Sequence, residues 1–351
     1  MDKLVSDGNS IEQKQNQIMS ANISVVNGKT EMFSGLGQVP WHGLGQIVSG
    51  LLTAKEAIEA AHLGWTVKTV PVFVNGKQLR FPTGEDSTDC WQGIIREDTG
   101  DALSVMKGRY SPIQNVECFD FLDTLAGEGN LKYETAGALK GGRIVWMMAR
   151  YNGDIDINGD NHQQWLLLCT SHDGSYSLMV QWVTVRVVCA NTLSVALKDA
   201  KNQVKIRHTT TWESKAEEAR RVLCLTRNYF STVKETLVGM NKQLVTPGVE
   251  IEFAKFLFPA KDEKEVPTRT QNSRLSIQAL FNRPATGTFG QSRWDLLNAV
   301  TDYADHERKL RGDNSSRLES SLLGSGAVLK QSAYDYLTND KFMADLALAV
   351  N

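Results

Sequence analysis

The residues with most to say about chemistry are cations set among strand-like and aromatic segments. Lys198, Lys201, Lys205, Arg207 and His208 follow one another closely, with only Asp199 opposing them. Just upstream, the apolar run VQWVTVRVVC carries a lone arginine, Arg186, beside Trp182. Lys132, Lys140, Arg143 and Arg150 lie on a neighbouring hairpin pattern, and Arg109 and Tyr110 follow an earlier strand pattern. Cations can neutralise phosphates, and aromatic rings can accept bases at about 1–3 kcal/mol per stacked base. The pattern therefore suits single-stranded nucleic acid. The competing reading is a solvated charged surface over core tryptophans. Arg186 has two readings as well. It meets an internal carboxylate, because burying an unpaired charge is costly, or it floors a groove for an anionic ligand.

Other chemistries have thinner support. Asp154-Ile-Asp156-Ile-Asn158-Gly159-Asp160 begins like a calcium loop, but its twelfth position is Trp165 in place of a bidentate Glu. A hairpin loop is expected there. The six histidines make no HExxH or Cys/His cluster, and neither GxSxG nor a P-loop occurs. Asp302 and His306, four apart on an expected helix, are the remaining metal candidate, with a metal enzyme built around them and His208 as the third function class. No cofactor is expected.

The elements that must position these residues follow from periodicity. Thr53-Ala-Lys-Glu56 is a capping box for a helix that Gly64 can end. Asn75-Gly76 predicts a type I′ hairpin. WQGIIR and ALSVM predict strands flanking Asp98-Thr-Gly-Asp101, and Asn115 to Leu125 has the apolar spacing of a helix. KYETAGAL and RIVWMMARY are joined at Lys140-Gly-Gly142, and QWLLLCTS turns at His172 to Ser175 into a strand over 180–189. Asn191 is expected to cap a helix over ANTLSVAL, followed by a strand over VKIRHTTT, Val204 to Thr211. Lys205 and Arg207 would then share one strand face, about 7 Å apart.

These elements predict an α+β protein: an antiparallel sheet with packed helices, then a mainly helical C-terminal region. The expected division is a flexible arm over 1–30, a hairpin-rich core over 31–211 and a helical region over 212–351. A long helix is expected from Trp212, and a linker over AKDEKEVPTRTQ. The chain of 351 residues has 38 Lys and Arg against 40 Asp and Glu, a formal charge of −2, so any nucleic-acid site must be a local patch. Five scattered cysteines suggest reduced thiols in a cytoplasm. No run approaches the roughly 18 apolar residues of a membrane helix.

Several motifs in one order carry a resemblance. FSGLGQVPWHGLGQ, GRYSPIQN, VTVRVVCANTL, KIRHTTT and WDLLNAVTDYADHERKLRG resemble a family of phage- and plasmid-like proteins carried as a domain of unknown function, from about Met32 to Tyr336. The resemblance implies residence in bacteria or their mobile elements. The order of hairpins and helix also resembles the core of phage single-strand annealing proteins of the Red-beta, RecT and Erf kind. That likeness implies single-stranded DNA as partner and a homo-oligomer in the bacterial cytoplasm. The expected contacts are Arg186, Lys201, Lys205, Arg207, His208, Arg143, Lys140, Arg109 and Trp182. The alternative is a structural or interaction protein of a mobile element that modulates a host partner.

Overall fold

The structure is a computed structural model that describes residues 23–35, 46–48, 52–81, 89–126, 131–157, 159–186, 192–193, 203–217, 229–283, 291–309 and 317–350. Two compact units are present. The first comprises 1–152, 165–182 and 203–225, and the second 153–164, 183–202 and 226–351. The main division thus falls at 225, later than the composition change at Trp212, and two inserts from the sheet region are grouped with the helices.

The first unit starts with a small hairpin, β1 (Val25–Val26) and β2 (Lys29–Thr30), turning at Asn27-Gly28 with positive φ at both residues. Residues 23–30 are therefore not part of a flexible arm. The Asn-Gly signal forms its turn, and buried Ile23 bridges to Leu139. Next come β3 (Met32–Ser34), β4 (Gln46–Ile47) and α1 (Ala54–Ala60). The Thr53/Glu56 capping box forms as expected. The helix ends earlier than Gly64: Ala61 is its C-cap, and His62 adopts positive φ.

A three-stranded sheet, in the order β5 (Val67–Pro71), β8 (Trp91–Arg96), β9 (Ala102–Lys107), is antiparallel throughout. Between β5 and β8, the hairpin β6 (Phe73–Val74) and β7 (Lys77–Gln78) turns at Asn75-Gly76 as predicted. Helix α2 (Asn115–Ala126) buries Cys118, Phe119, Phe121 and Leu122.

The larger sheet is built from β10 (Leu131–Leu139), β11 (Ile144–Ile157), β12 (Asp160–Ser171) and β13 (Leu178–Arg186), the meander read from the turn residues. Its strand order is β14-β13-β12-β11-β10-β3-β4, where β14 is Thr192–Leu193. Strand β15 (Gln203–Ile206) also pairs with β13. Leu178 through Thr184 are all buried, so this stretch of β13 is covered on both faces and its alternation marks no exposed side.

Two expectations near β13 are corrected. Thr192 and Leu193 form no helix but pair with Val185 and Thr184, because an open strand edge outweighs the helical spacing of ANTLSVAL. The strand expected over 204–211 is only Gln203–Ile206. The chain leaves the ladder at Arg207 so that His208 can enter the core.

In the second unit, α3 (Tyr229–Lys242), α4 (Val249–Leu257), α5 (Thr268–Asn282) and α6 (Arg293–Asp302) precede a π-helical turn, Tyr303–Glu307. Then come α7 (Arg317–Leu322), α8 (Ser325–Leu337) and α9 (Asp340–Val350). Of the long helix expected from Trp212, residues 212–217 and α3 are helical, and 218–228 lie outside the described residues. Ser292 and Asp295 form a second capping box, and the stretch before Pro267 is a loop, as its charge and proline suggest. Three helices are clasped by a buried cluster in which Lys330 Nζ donates to Asp305 Oδ1 at 2.8 Å and to Ser321 Oγ at 3.1 Å. Ser321 Oγ also donates to Asp305, and all these groups are buried.

Candidate nucleic-acid interface

The site is built where the two sheets of the first unit meet. Arg96, at the end of β8, is only 1% exposed, and every guanidinium nitrogen is engaged. Nε donates to Asp98 at 2.7 Å, Nη2 to Asp98 at 2.9 Å and to Glu31, and Nη1 to Glu31 at 2.9 Å. The guanidinium also lies 4.1 Å from the centre of the Trp65 ring. It packs beneath the β10–β11 turn, where a Cβ on Gly142 would come within 2.9 Å of Nη1. This side chain staples the small sheet to β2–β3 and to the Lys140–Gly142 turn. Arg96 is thus a buried strand arginine that meets carboxylates, the arrangement considered for Arg186.

Further hydrogen bonds fix the same junction. Ser104 Oγ donates to the His172 carbonyl at 2.8 Å, and Tyr110 Oη to the Ser171 carbonyl at 2.8 Å. His172 N donates to the Arg143 carbonyl at 2.7 Å, which holds the β10–β11 and β12–β13 turns side by side. Ile206 pairs with Leu178, so β15 ends at this same end of the sheet. Ser111 N then donates to the His208 carbonyl at 3.2 Å. The His208 ring stacks on Tyr110, with centroids 5.0 Å apart and planes 13° from parallel.

As a result, Arg109, Lys140, Arg143 and Arg207, far apart in sequence, emerge at one end of the sheet, all exposed. Arg109, Arg143 and Arg207 form no ion pair with the described residues. Asp173, in the adjoining turn, has its carboxylate held by Ser175 N at 2.9 Å and by the Ser175 hydroxyl. Lys205 is also exposed, on edge strand β15, opposite Met179.

An aromatic surface not anticipated from the sequence lies at the Trp91 end of β8, near Arg109. Trp91 and Phe81, both half-buried, pack with centroids 5.1 Å apart, and Lys107 Nζ lies 5.2 Å from the Phe81 ring. Trp91 pairs with Lys107 across the ladder, so it stands two residues from Arg109. Its signal was available: β8 and β9 were both recognised, and register places their ends together.

Other expected contacts lie elsewhere. His208 is buried, which removes it from a surface rim; desolvation lowers its pKa to about 4. The nearby His172, fully buried with Nε2 3.1 Å from Asn115 Oδ1, is lowered to about 3, chiefly by desolvation and then by His208. Trp182 is 9% exposed and packs edge-on against Tyr151 at 5.5 Å, a core position and not an open platform. For the groove expected with Arg186 as floor and Lys201, Lys205, Arg207 and His208 as rim, Arg186 ends β13 at the end opposite Leu178, whereas Lys205 and Arg207 lie at the Leu178 end. The Arg186 side chain and Lys201 lie outside the described residues, as do residues 36–45 of the Gly-rich loop over Phe33–Gln46.

The calcium-like segment is the β11–β12 hairpin turn. Asp156 accepts from Gly159 N at 3.2 Å, and Asp154 from Asn161 Nδ2 at 3.1 Å. Asp302 is the N-cap of the π-helical turn and His306 lies within it, and the buried acid there is Asp305. Among the described residues no group of three or more His, Cys, Asp or Glu side chains could hold a metal. Cys90, Cys118 and Cys169 are buried and form no disulfide among the described residues. Among the described residues no helix is long and apolar enough to cross a membrane.

The model of one protein family, described as a domain of unknown function (DUF932), matches residues 102–323. The chain belongs to this family. The DUF932 match runs from β9 to the end of α7 and takes in Arg109, Lys140, Arg143, Arg207, His172 and His208, but leaves Trp91 and Arg96 outside it. No curated protein and no solved structure matches the chain.

Proposed function

We propose that the protein binds single-stranded nucleic acid at the cationic end of the first unit's sheet. The observation that carries the reading is that Arg109, Lys140, Arg143 and Arg207 are all exposed at one end of the sheet, with the half-exposed Trp91–Phe81 pair near Arg109. Cations on converging turns can hold phosphates without reading sequence, and the ring faces accept any base. Nothing in this mechanism needs covalent chemistry or a cofactor. The resemblance to phage annealing proteins extends the reading to strand annealing in recombination or replication of a mobile element: phosphates are held while base edges stay free to pair. Self-association belongs to the same reading, as the resemblance to annealing proteins implies. Fluorescence anisotropy with a labelled single strand, competed by unlabelled single strand, duplex and heparin, tests it. Preferential displacement by the single strand supports the reading. Equal displacement by heparin reduces the site to a generic polyanion surface.

A further inference from the structure

We propose that the cavity between α5 and the π-helical turn of the second unit binds an organic phosphate of mononucleotide size. The cavity measures about 740 Å³, within the usual range of small-molecule sites. Its lining changes character along α5. Arg269 stands at one end, and Asn272 and Ser276, four apart and so on one helix face, offer an amide and a hydroxyl. Leu275, 48% exposed, supplies an apolar surface one to two turns on from Arg269.

The other wall closes the site chemically. Arg269 Nη2 donates to the Lys309 carbonyl at 3.0 Å, which brings both cationic residues to the same rim. Neither forms an ion pair with the described residues. The carboxylate that lines the cavity, Glu307, faces Arg283 at 3.7 Å, so it does not cancel them. Tyr303 forms part of the lining, and its hydroxyl lies 2.7 Å from Ser273 Oγ. The result is a cationic end, a hydrogen-bonding middle and an apolar wall. Arg269 and Ser276 are seven residues apart, about 10 Å along the helix. That span suits a phosphate at one end and a base or similar ring at the other. Arginine is well matched to phosphate oxygens through its planar fork of donors.

This site is independent of the nucleic-acid surface in the first unit. Isothermal titration of the full chain with AMP, adenosine and inorganic phosphate tests it. Saturable one-site AMP binding is expected, weakened about tenfold or more in Arg269→Gln and in Lys309→Gln. Adenosine should bind about tenfold more weakly than AMP for the same reason. Ser276→Phe, which fills the cavity and keeps its charges, should abolish binding at an unchanged melting temperature. The variant Arg143→Gln/Arg207→Gln should bind AMP as the wild type does. Absence of AMP binding at millimolar concentration would overturn the proposal. So would binding unaffected by Arg269→Gln and Ser276→Phe, or binding lost in Arg143→Gln/Arg207→Gln. Inorganic phosphate bound as tightly as AMP would remove the apolar half of the site.

Discussion

Replacing Arg96 with methionine strands Glu31, whose side chain is 2% exposed. Asp98, 40% exposed, can return to water, but Glu31 cannot. Removing one partner of a buried ion pair typically costs about 3–5 kcal/mol, because the remaining charge stays desolvated. Loss of the contact with Trp65 adds to this, at about 0.5–2 kcal/mol. For a unit of this size each kcal/mol lowers the midpoint by about 2–4 °C, so calorimetry should show the first unit melting roughly 7–28 °C lower. The second unit's transition should stay in place. The double variant Arg96→Met/Glu31→Leu removes both charges and should recover most of the loss, since an apolar replacement of a buried pair is often neutral or stabilising. An Arg96→Met protein within about 1 kcal/mol of wild type would refute the staple, as would a double variant no better than the single.

Acid should weaken the first unit through His172 and His208. Both have folded pKa values below the unfolded value near 6.5, so the unfolded chain takes up their protons first and stability falls as pH drops through the range from about 6.5 toward 4 and 3. Denaturant titrations should show each costing about 2 kcal/mol between pH 6.5 and 5, with no change above pH 7 from these groups; a flat profile over that interval, or one unaltered in His172→Asn, contradicts this. In the second unit, Lys330→Met should cost about 3–5 kcal/mol by stranding Asp305, and Ser321→Ala should cost less; if the two losses are equal, the ammonium is not the core of the clasp. Trp91→Ala should weaken single-strand binding by about 1–3 kcal/mol with no change in salt slope, and its fluorescence should be quenched on binding in the wild type.

The hairpins were readable because their turns are chemically explicit. Asn75-Gly76, Lys140-Gly-Gly142 and Asp173-Gly174 need positive φ at or beside glycine, and the strands between them are rich in β-branched and aromatic residues. Capping at Thr53 was equally direct. What failed were short segments whose fate depends on partners distant in sequence. Thr192 and Leu193 join a strand because β13 has an open edge, and Arg207 leaves one because His208 has a core site waiting beside Tyr110. The cations at Arg109, Lys140, Arg143 and Arg207 were identifiable by type, but only the junction of two sheets makes them neighbours. Trp91 was passed over because its strand pattern does not say which face is covered, whereas Trp182, also in a strand pattern, is packed away.

The most direct measurement is the salt dependence of single-strand affinity for the wild type and for the triple variant Arg109→Gln/Arg143→Gln/Arg207→Gln, followed by fluorescence anisotropy. Each phosphate contact contributes about 0.7 to the slope of log affinity against log salt on a single strand. If the sheet end is the interface, the triple variant should lose affinity, keep its melting temperature and flatten that slope by about 2.1. A folded triple variant with the wild-type slope would contradict the proposed interface.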